Sequence, residues 1–108
     1  GVKLDSARVL LEVALEQEPD NGAYLDSYAW VFYRLGDADK AHEYIVKAME
    51  QIDDDAILFD HLGDIQMKRG EYGAAVEAYT RSLELKHEDG GAVRMKLEEA
   101  RRMLEGGK

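Results

Sequence analysis

The chain has 108 residues, a net charge of −9 and no cysteine. That length suffices for one domain with its own core, and the missing cysteine excludes a disulfide framework, a thiolate zinc site and a cysteine nucleophile. The negative charge speaks against nucleic acid and anionic membrane surfaces, both of which require a basic footprint. An apolar fraction of 45%, 34% charged residues and a single proline indicate an ordered, all-α chain.

Apolar residues at helical spacing predict six helices, over roughly 4–18, 22–35, 38–51, 56–69, 72–85 and 91–105. The first carries the stripe Leu4, Ala7, Leu11, Ala14 and Leu15 and is closed by Pro19. The second crowds Tyr24, Tyr28, Trp30, Phe32 and Tyr33 into ten residues, more rings than one buried face accommodates. Gly36 and Gly70 stand where the chain must reverse between helices, which suits glycine's access to positive φ. Asp37 and Asp55 are placed to cap the helices that follow them. The sixth helix is polar, with Arg94, Lys96, Glu98, Glu99, Arg101, Arg102 and Glu105, as a solvated end of an array would be.

The chain also repeats itself every 34 residues. Gly36 returns as Gly70, Ala7 as Ala41 and Ala75, Leu11 as Ile45 and Tyr79, Ala14 as Ala48 and Ser82, and Leu15 as Met49 and Leu83. Leu25 matches Phe59, Tyr28 matches Leu62 and Ala29 matches Gly63. These matches keep size or polarity, and the small residues among them let neighbouring backbones approach closely.

The period and the residues Phe59, Leu62, Gly63, Gln66, Ala75, Tyr79 and Ser82 resemble the tetratricopeptide repeat, as do Leu25, Tyr28, Ala29, Phe32, Ala41, Ile45 and Ala48 one period earlier. The resemblance implies a single all-α domain over 1–108, a right-handed α-solenoid of antiparallel helix pairs. Residues 4–19 would be the second helix of a partial repeat, 22–55 and 56–89 full repeats, and 91–105 a capping helix. The family's signature tryptophan is Leu25 and Phe59 here, its late proline survives only as Pro19, and Gln66 replaces an aromatic, which implies looser packing or a bound water there. The opening LDSYAW looks most like bacterial members, and Gly1 in place of an initiating Met marks the chain as a fragment of something longer.

Comparing copies separates core from surface. Tyr28 pairs with Leu62 and is expected in the core, whereas Trp30 pairs with Asp64 and Glu98, and Tyr33 with Met67 and Arg101, so both are expected to be partly exposed. In proteins similar to this one, that face of the first helix lines a concave groove. The resemblance therefore implies a protein or peptide partner held by Asp26, Trp30, Tyr33, Arg34, Ile57, Asp60, Asp64, Met67, Lys68 and Arg94. The acids favour a neutral or basic segment; alternatively, Asp60 pairs with Arg94 across adjacent helices, and the rings only cover the end of a short array. The lysine and asparagine clamp of some chaperone-binding relatives is absent, since Asp26, Trp30, His61 and Arg94 hold those slots.

No catalytic residue, metal site or cofactor is assigned. His61 lies near Asp60 and Asp64 without a nucleophile or phosphate loop, and Asp53–Asp55 lack the spacing of a calcium loop. No signal peptide and no apolar run of membrane-span length is visible. The stripe on the first helix offers an alternative role in scaffolding or homodimer formation through Leu4, Leu11 and Leu15.

Overall fold

The structure, a computed structural model, describes residues 2–106. These form six α-helices and no strand: α1 (Val2–Gln17), α2 (Gly22–Arg34), α3 (Ala38–Gln51), α4 (Ala56–Lys68), α5 (Tyr72–Glu84) and α6 (Gly90–Leu104). They group into two compact units, Gly1–Asp53 and Asp54–Lys108, divided in the turn between the two full 34-residue periods.

The helix ends follow the local chemistry. α1 stops at Gln17, two residues ahead of Pro19, because a residue preceding proline is driven out of helical geometry. Asn21 caps α2 by accepting from the Tyr24 N–H at 3.0 Å. α2 ends in a reversal in which the Gly36 N–H donates to the Tyr33 carbonyl (3.1 Å) and the Asp37 N–H to the Phe32 carbonyl (2.9 Å). This pairing requires the left-handed φ of +87° that Gly36 adopts. One period later Gly70 (φ +77°) repeats it, with the Gly70 N–H donating to Met67 and the Glu71 N–H to Gln66. Asp37 then caps α3 through the Lys40 N–H (3.1 Å), and Asp55 caps α4 through Ile57 (2.8 Å) and Leu58 (3.2 Å).

In the first unit α2 packs on α3, and α1 lies more thinly against α2. Leu25, Tyr28, Ala29, Val31 and Phe32 of α2 are buried with Ala41, Ile45 and Ala48 of α3. Three rings knit this pair: Tyr28 meets Phe32 edge-on at 4.8 Å and Tyr44 edge-on at 4.6 Å, while Phe32 and Tyr44 stack at 5.9 Å. The Tyr28 hydroxyl also reaches out to α1, donating to Glu12 Oε2 at 2.8 Å. Burial and the adjoining Glu12 carboxylate both push the Tyr28 phenol well above its ordinary range.

The second unit is built on α5, which packs against α4 on one side and α6 on the other. Ala75 and Tyr79 of α5 join Val93, Leu97 and Ala100 of α6 in one apolar cluster, with Met67, Val76 and Leu83 at its margin. Ser82, buried in a slot that is otherwise alanine, donates its hydroxyl to the Ala56 carbonyl at 2.8 Å. The tightest approach is at Gly63, where an added Cβ would fall 2.5 Å from Cε1 of the Tyr79 ring. The corresponding slots of the first unit hold Ala29 and Ile45, a larger residue facing a smaller one.

Gly63→Ala should lower stability by about 1–3 kcal/mol through overpacking against a ring with no room to retreat. Urea unfolding checks this, with Ala29→Gly in the first unit expected to cost only about 1 kcal/mol, from helix entropy.

Candidate functional site

The first helix of each period was expected to carry the binding face. In the first unit Trp30 and Tyr33, three residues apart on α2, stack at 4.5 Å with ring planes inclined by only 15°. Both rings are half-buried, as their variable slots implied, and Val31 and Phe32 between them point into the core. Asp26 is half-buried on the same helix and Arg34 is exposed. The site on α2 is thus a stacked aromatic pair with Asp26 and Arg34 on the same helix.

The corresponding face of the second unit is different in kind. Ile57 is exposed, with 51% of its surface in solvent, and Lys68 is exposed as well, while Met67 packs against the apolar cluster. Asp60 and Asp64 are not offered to a ligand. Lys96 Nζ lies 3.0 Å from Asp60 Oδ1 and 3.1 Å from Asp64 Oδ2, and both carboxylates retain only 13% side-chain exposure. The remaining oxygens are also used: Tyr79 donates its hydroxyl to Asp64 Oδ1 at 2.6 Å, and His87 Nε2 approaches Asp60 Oδ2 at 3.2 Å. The other imidazole nitrogen, Nδ1, accepts the Asp89 N–H at 2.9 Å, which assigns the Nε2–H tautomer.

This corrects the sequence reading in two respects. The cation across from Asp60 is Lys96 rather than Arg94, which is exposed. The buried stripe of α6 is Val93, Leu97 and Ala100, and Lys96 lies along its edge at i+3 and i−4, whereas Arg94 is turned to solvent. The network is therefore an internal tie among α4, α5 and α6. Sequence comparison missed Lys96 because its slot in the earlier copies holds Leu62 and Tyr28, so no charge recurred to mark it.

Burial pulls the Lys96 ammonium down, but hydrogen bonds and charge from Asp60 and Asp64 outweigh it and leave its pKa above the ordinary lysine value of 10.5.

On α1 the apolar residues left open to solvent are not the ones expected. Leu4, Leu11 and Leu15 are half-buried, and the large exposed residues are Val9 (52%), Leu10 (71%) and Val13 (50%). Leu15 borders an open groove of about 310 Å³ shared with Leu25, Tyr28 and Tyr44, so the stripe read from the sequence is the side turned toward α2. Among the described residues no cluster of acidic or histidine side chains is arranged to hold a metal ion. No helix there is long and apolar enough to cross a membrane.

Residues 58–89 match the family described as tetratricopeptide repeat. Over 83 residues the chain is 34% identical to the TPR repeat-containing protein MJ1428 of Methanocaldococcus jannaschii, covering 77% of this chain but only 14% of that archaeal protein. The solved Sgt2 TPR domain from Aspergillus fumigatus superposes with a TM-score of 0.85 at 27% identity, over 95% of this chain and 69% of that one. The first TPR domain of human RPAP3 does so with a TM-score of 0.87 at 18% identity, over 95% and 80%.

Removing the cation by Lys96→Met should cost about 1–2 kcal/mol, the penalty for stranding two part-buried carboxylates after discounting for the solvent that screens Lys96. Because the folded pKa values of Lys96 and Tyr28 lie above their unfolded ones, the stability they confer is complete below pH 10. It is lost as pH rises from there through the folded values. Tyr28→Phe should flatten that alkaline decline in denaturant titrations at pH 9–12 while lowering stability at neutral pH by about 1 kcal/mol, below the usual worth of a hydrogen bond to a charged group because Glu12 is exposed.

Proposed function

We propose that this chain, which belongs to the tetratricopeptide-repeat family, is a non-catalytic interaction module that binds a partner protein segment on the face of α2 carrying Trp30 and Tyr33. Proteins built on this repeat are in general protein–protein interaction modules. The observation that carries the reading is the stacked, half-buried ring pair. Two large aromatics stack on each other beside a well-filled core, in slots that hold Asp64 and Met67 one period later. Flat rings give a partner a large contact area at little cost in side-chain entropy.

Asp26 and Arg34 are on the same helix as the rings; on α4 of the second unit, Ile57 and Lys68 are exposed. The partner segment is neutral or basic. The chain's net charge of −9 attracts a cationic segment over distance and repels nucleic acid. Asp60 and Asp64 add less to that attraction locally than two free acids would, because Lys96 offsets one of their two charges.

A second reading has its own observation. Val9, Leu10 and Val13 leave an apolar face of α1 open, which supports assembly of copies, or scaffolding, through the outer side of that helix rather than through Leu4, Leu11 and Leu15.

Capture of partners by the parent chain and by a folded Trp30→Ala/Tyr33→Ala variant, followed by binding of peptides from the captured protein, tests the first reading. The double variant should lose the peptide by about tenfold or more, as expected when a central aromatic anchor is truncated. Equal binding by both chains would refute it. For α1, Leu10→Glu should reduce self-association in sedimentation, while Leu11→Glu should instead destabilise the fold.

A further inference from the structure

The N-cap positions of α2, α4 and α6 hold Asn21, Asp55 and Asp89. Asn21 is the sole asparagine of the chain, and Gly22 follows it. An asparagine followed by glycine readily loses its side-chain amide, because no Cβ shields the backbone nitrogen that attacks it.

Both members of the pair are held in place by structure. Asn21 Oδ1 accepts the Tyr24 N–H at 3.0 Å, and its Nδ2 donates to Glu18 Oε1 at 3.4 Å. An aspartate could make the first bond but not the second, and would add a charge close to Glu18 and Asp20. Gly22 is buried, and a Cβ there would fall 2.6 Å from Cδ1 of Ile52 and 3.3 Å from Cβ of Gln51. The residue that leaves the amide vulnerable is thus the one that lets α2 start against the end of α3.

The cap also holds the reaction off. Cyclisation needs Asn21 Cβ and the Gly22 nitrogen nearly eclipsed about the Cα–C bond, and the extended ψ of 107° sets them on opposite sides of it. The bond to Tyr24 keeps the side chain on its cap acceptor role. Attack therefore waits for that bond to open and for ψ to rotate. Residues 16–20, which lead into the cap, are all exposed, so little packing opposes such an opening.

We propose that Asn21 is a modification site, a point of slow deamidation and isomerisation whose rate is set by opening of the first turn of α2. In the open form the Gly22 nitrogen bonds to Asn21 Cγ, the Cγ–Nδ2 bond breaks, and ammonia leaves with the proton from Gly22. Water then opens the cyclic imide. Cleavage at the side-chain carbonyl restores the backbone with aspartate, and cleavage at the main-chain carbonyl routes the chain through the side chain as isoaspartate. Aspartate can cap α2 again, and its charge suits a helix N-terminus. Isoaspartate cannot, because its backbone carries an extra methylene and its free carboxylate springs directly from Cα. The site does not depend on the Trp30–Tyr33 reading.

The test stores the intact chain at neutral pH in native buffer, in urea below the unfolding transition and in fully unfolding urea. Peptide mass spectrometry then follows residue 21, with isoaspartate resolved from aspartate. Conversion is expected in all three, about tenfold or more slower in native buffer than in the unfolded chain because opening precedes attack. The rate should already climb in urea below the transition. An Asn21→Asp chain should melt close to the parent, whereas the isolated isoaspartate product should melt about 4–8 °C lower, the loss of one helix cap. No conversion in the unfolded chain, a native rate equal to the unfolded one, or a rate that stays flat until global unfolding would overturn the proposal. An isoaspartate product that melts with the parent would overturn it as well.

Discussion

The second unit depends on one contact, the face of Tyr79 lying where a Cβ on residue 63 would be. Only glycine allows α4 to come that close to α5, and the closeness decides what the phenol can reach. Its hydroxyl meets Asp64, whose other oxygen receives Lys96. Lys96 also holds Asp60, and Asp60 in turn receives His87. Three helices and the turn before α6 are thereby tied through one run of matched polar groups set beside an apolar cluster. Every carboxylate oxygen in it has a donor, which is the condition for a part-buried network to stabilise rather than strain a fold.

The first unit meets the same packing requirement by other means. With Ala29 and Ile45 at the slots of Gly63 and Tyr79, the large residues move outward to Tyr28, Phe32 and Tyr44, and the polar tie runs from Tyr28 to Glu12 on α1. The two units therefore share a backbone plan and differ in where volume and charge are placed. The binding face proposed on α2 rests on one such difference. Trp30 and Tyr33 replace an acid and a methionine on α2, and Gln66 and Ala78 replace two rings between α4 and α5.

Much of this was legible in the sequence. The helix reversals were, because a left-handed φ after a helix end is cheap only for glycine, so Gly36 and Gly70 mark their own conformation. Asp37 and Asp55 were legible as caps, since a short acceptor before an apolar periodic run has one obvious donor set. The half-burial of Trp30 and Tyr33 followed from slots that tolerate an acid or an arginine in another copy. The unsettled environment of Gln66 followed from its aromatic counterpart, Phe32. Lys96 was not legible: a cation that bridges two acids more than thirty residues away has no local signal, and Arg94 fitted the repeat register better. The solvent-facing side of α1 was also misplaced, because apolar residues lie on more than one side of that helix and periodicity cannot rank them.

The sequence by itself determined the local and periodic features: six helices, their caps and reversals, the 34-residue register and the resemblance to the tetratricopeptide repeat. These depend on backbone preferences and on repetition, both written within a few residues or at one constant spacing. Only the tertiary structure decided which charges meet and which apolar residues stay open. Lys96 rather than Arg94 came to face Asp60, Asp64 was withdrawn from solvent, and Leu10 rather than Leu11 was left exposed. The physical reason is that side-chain partnership depends on the rotation and approach of whole helices. A shift of one residue turns a side chain by about 100°, enough to exchange core for solvent.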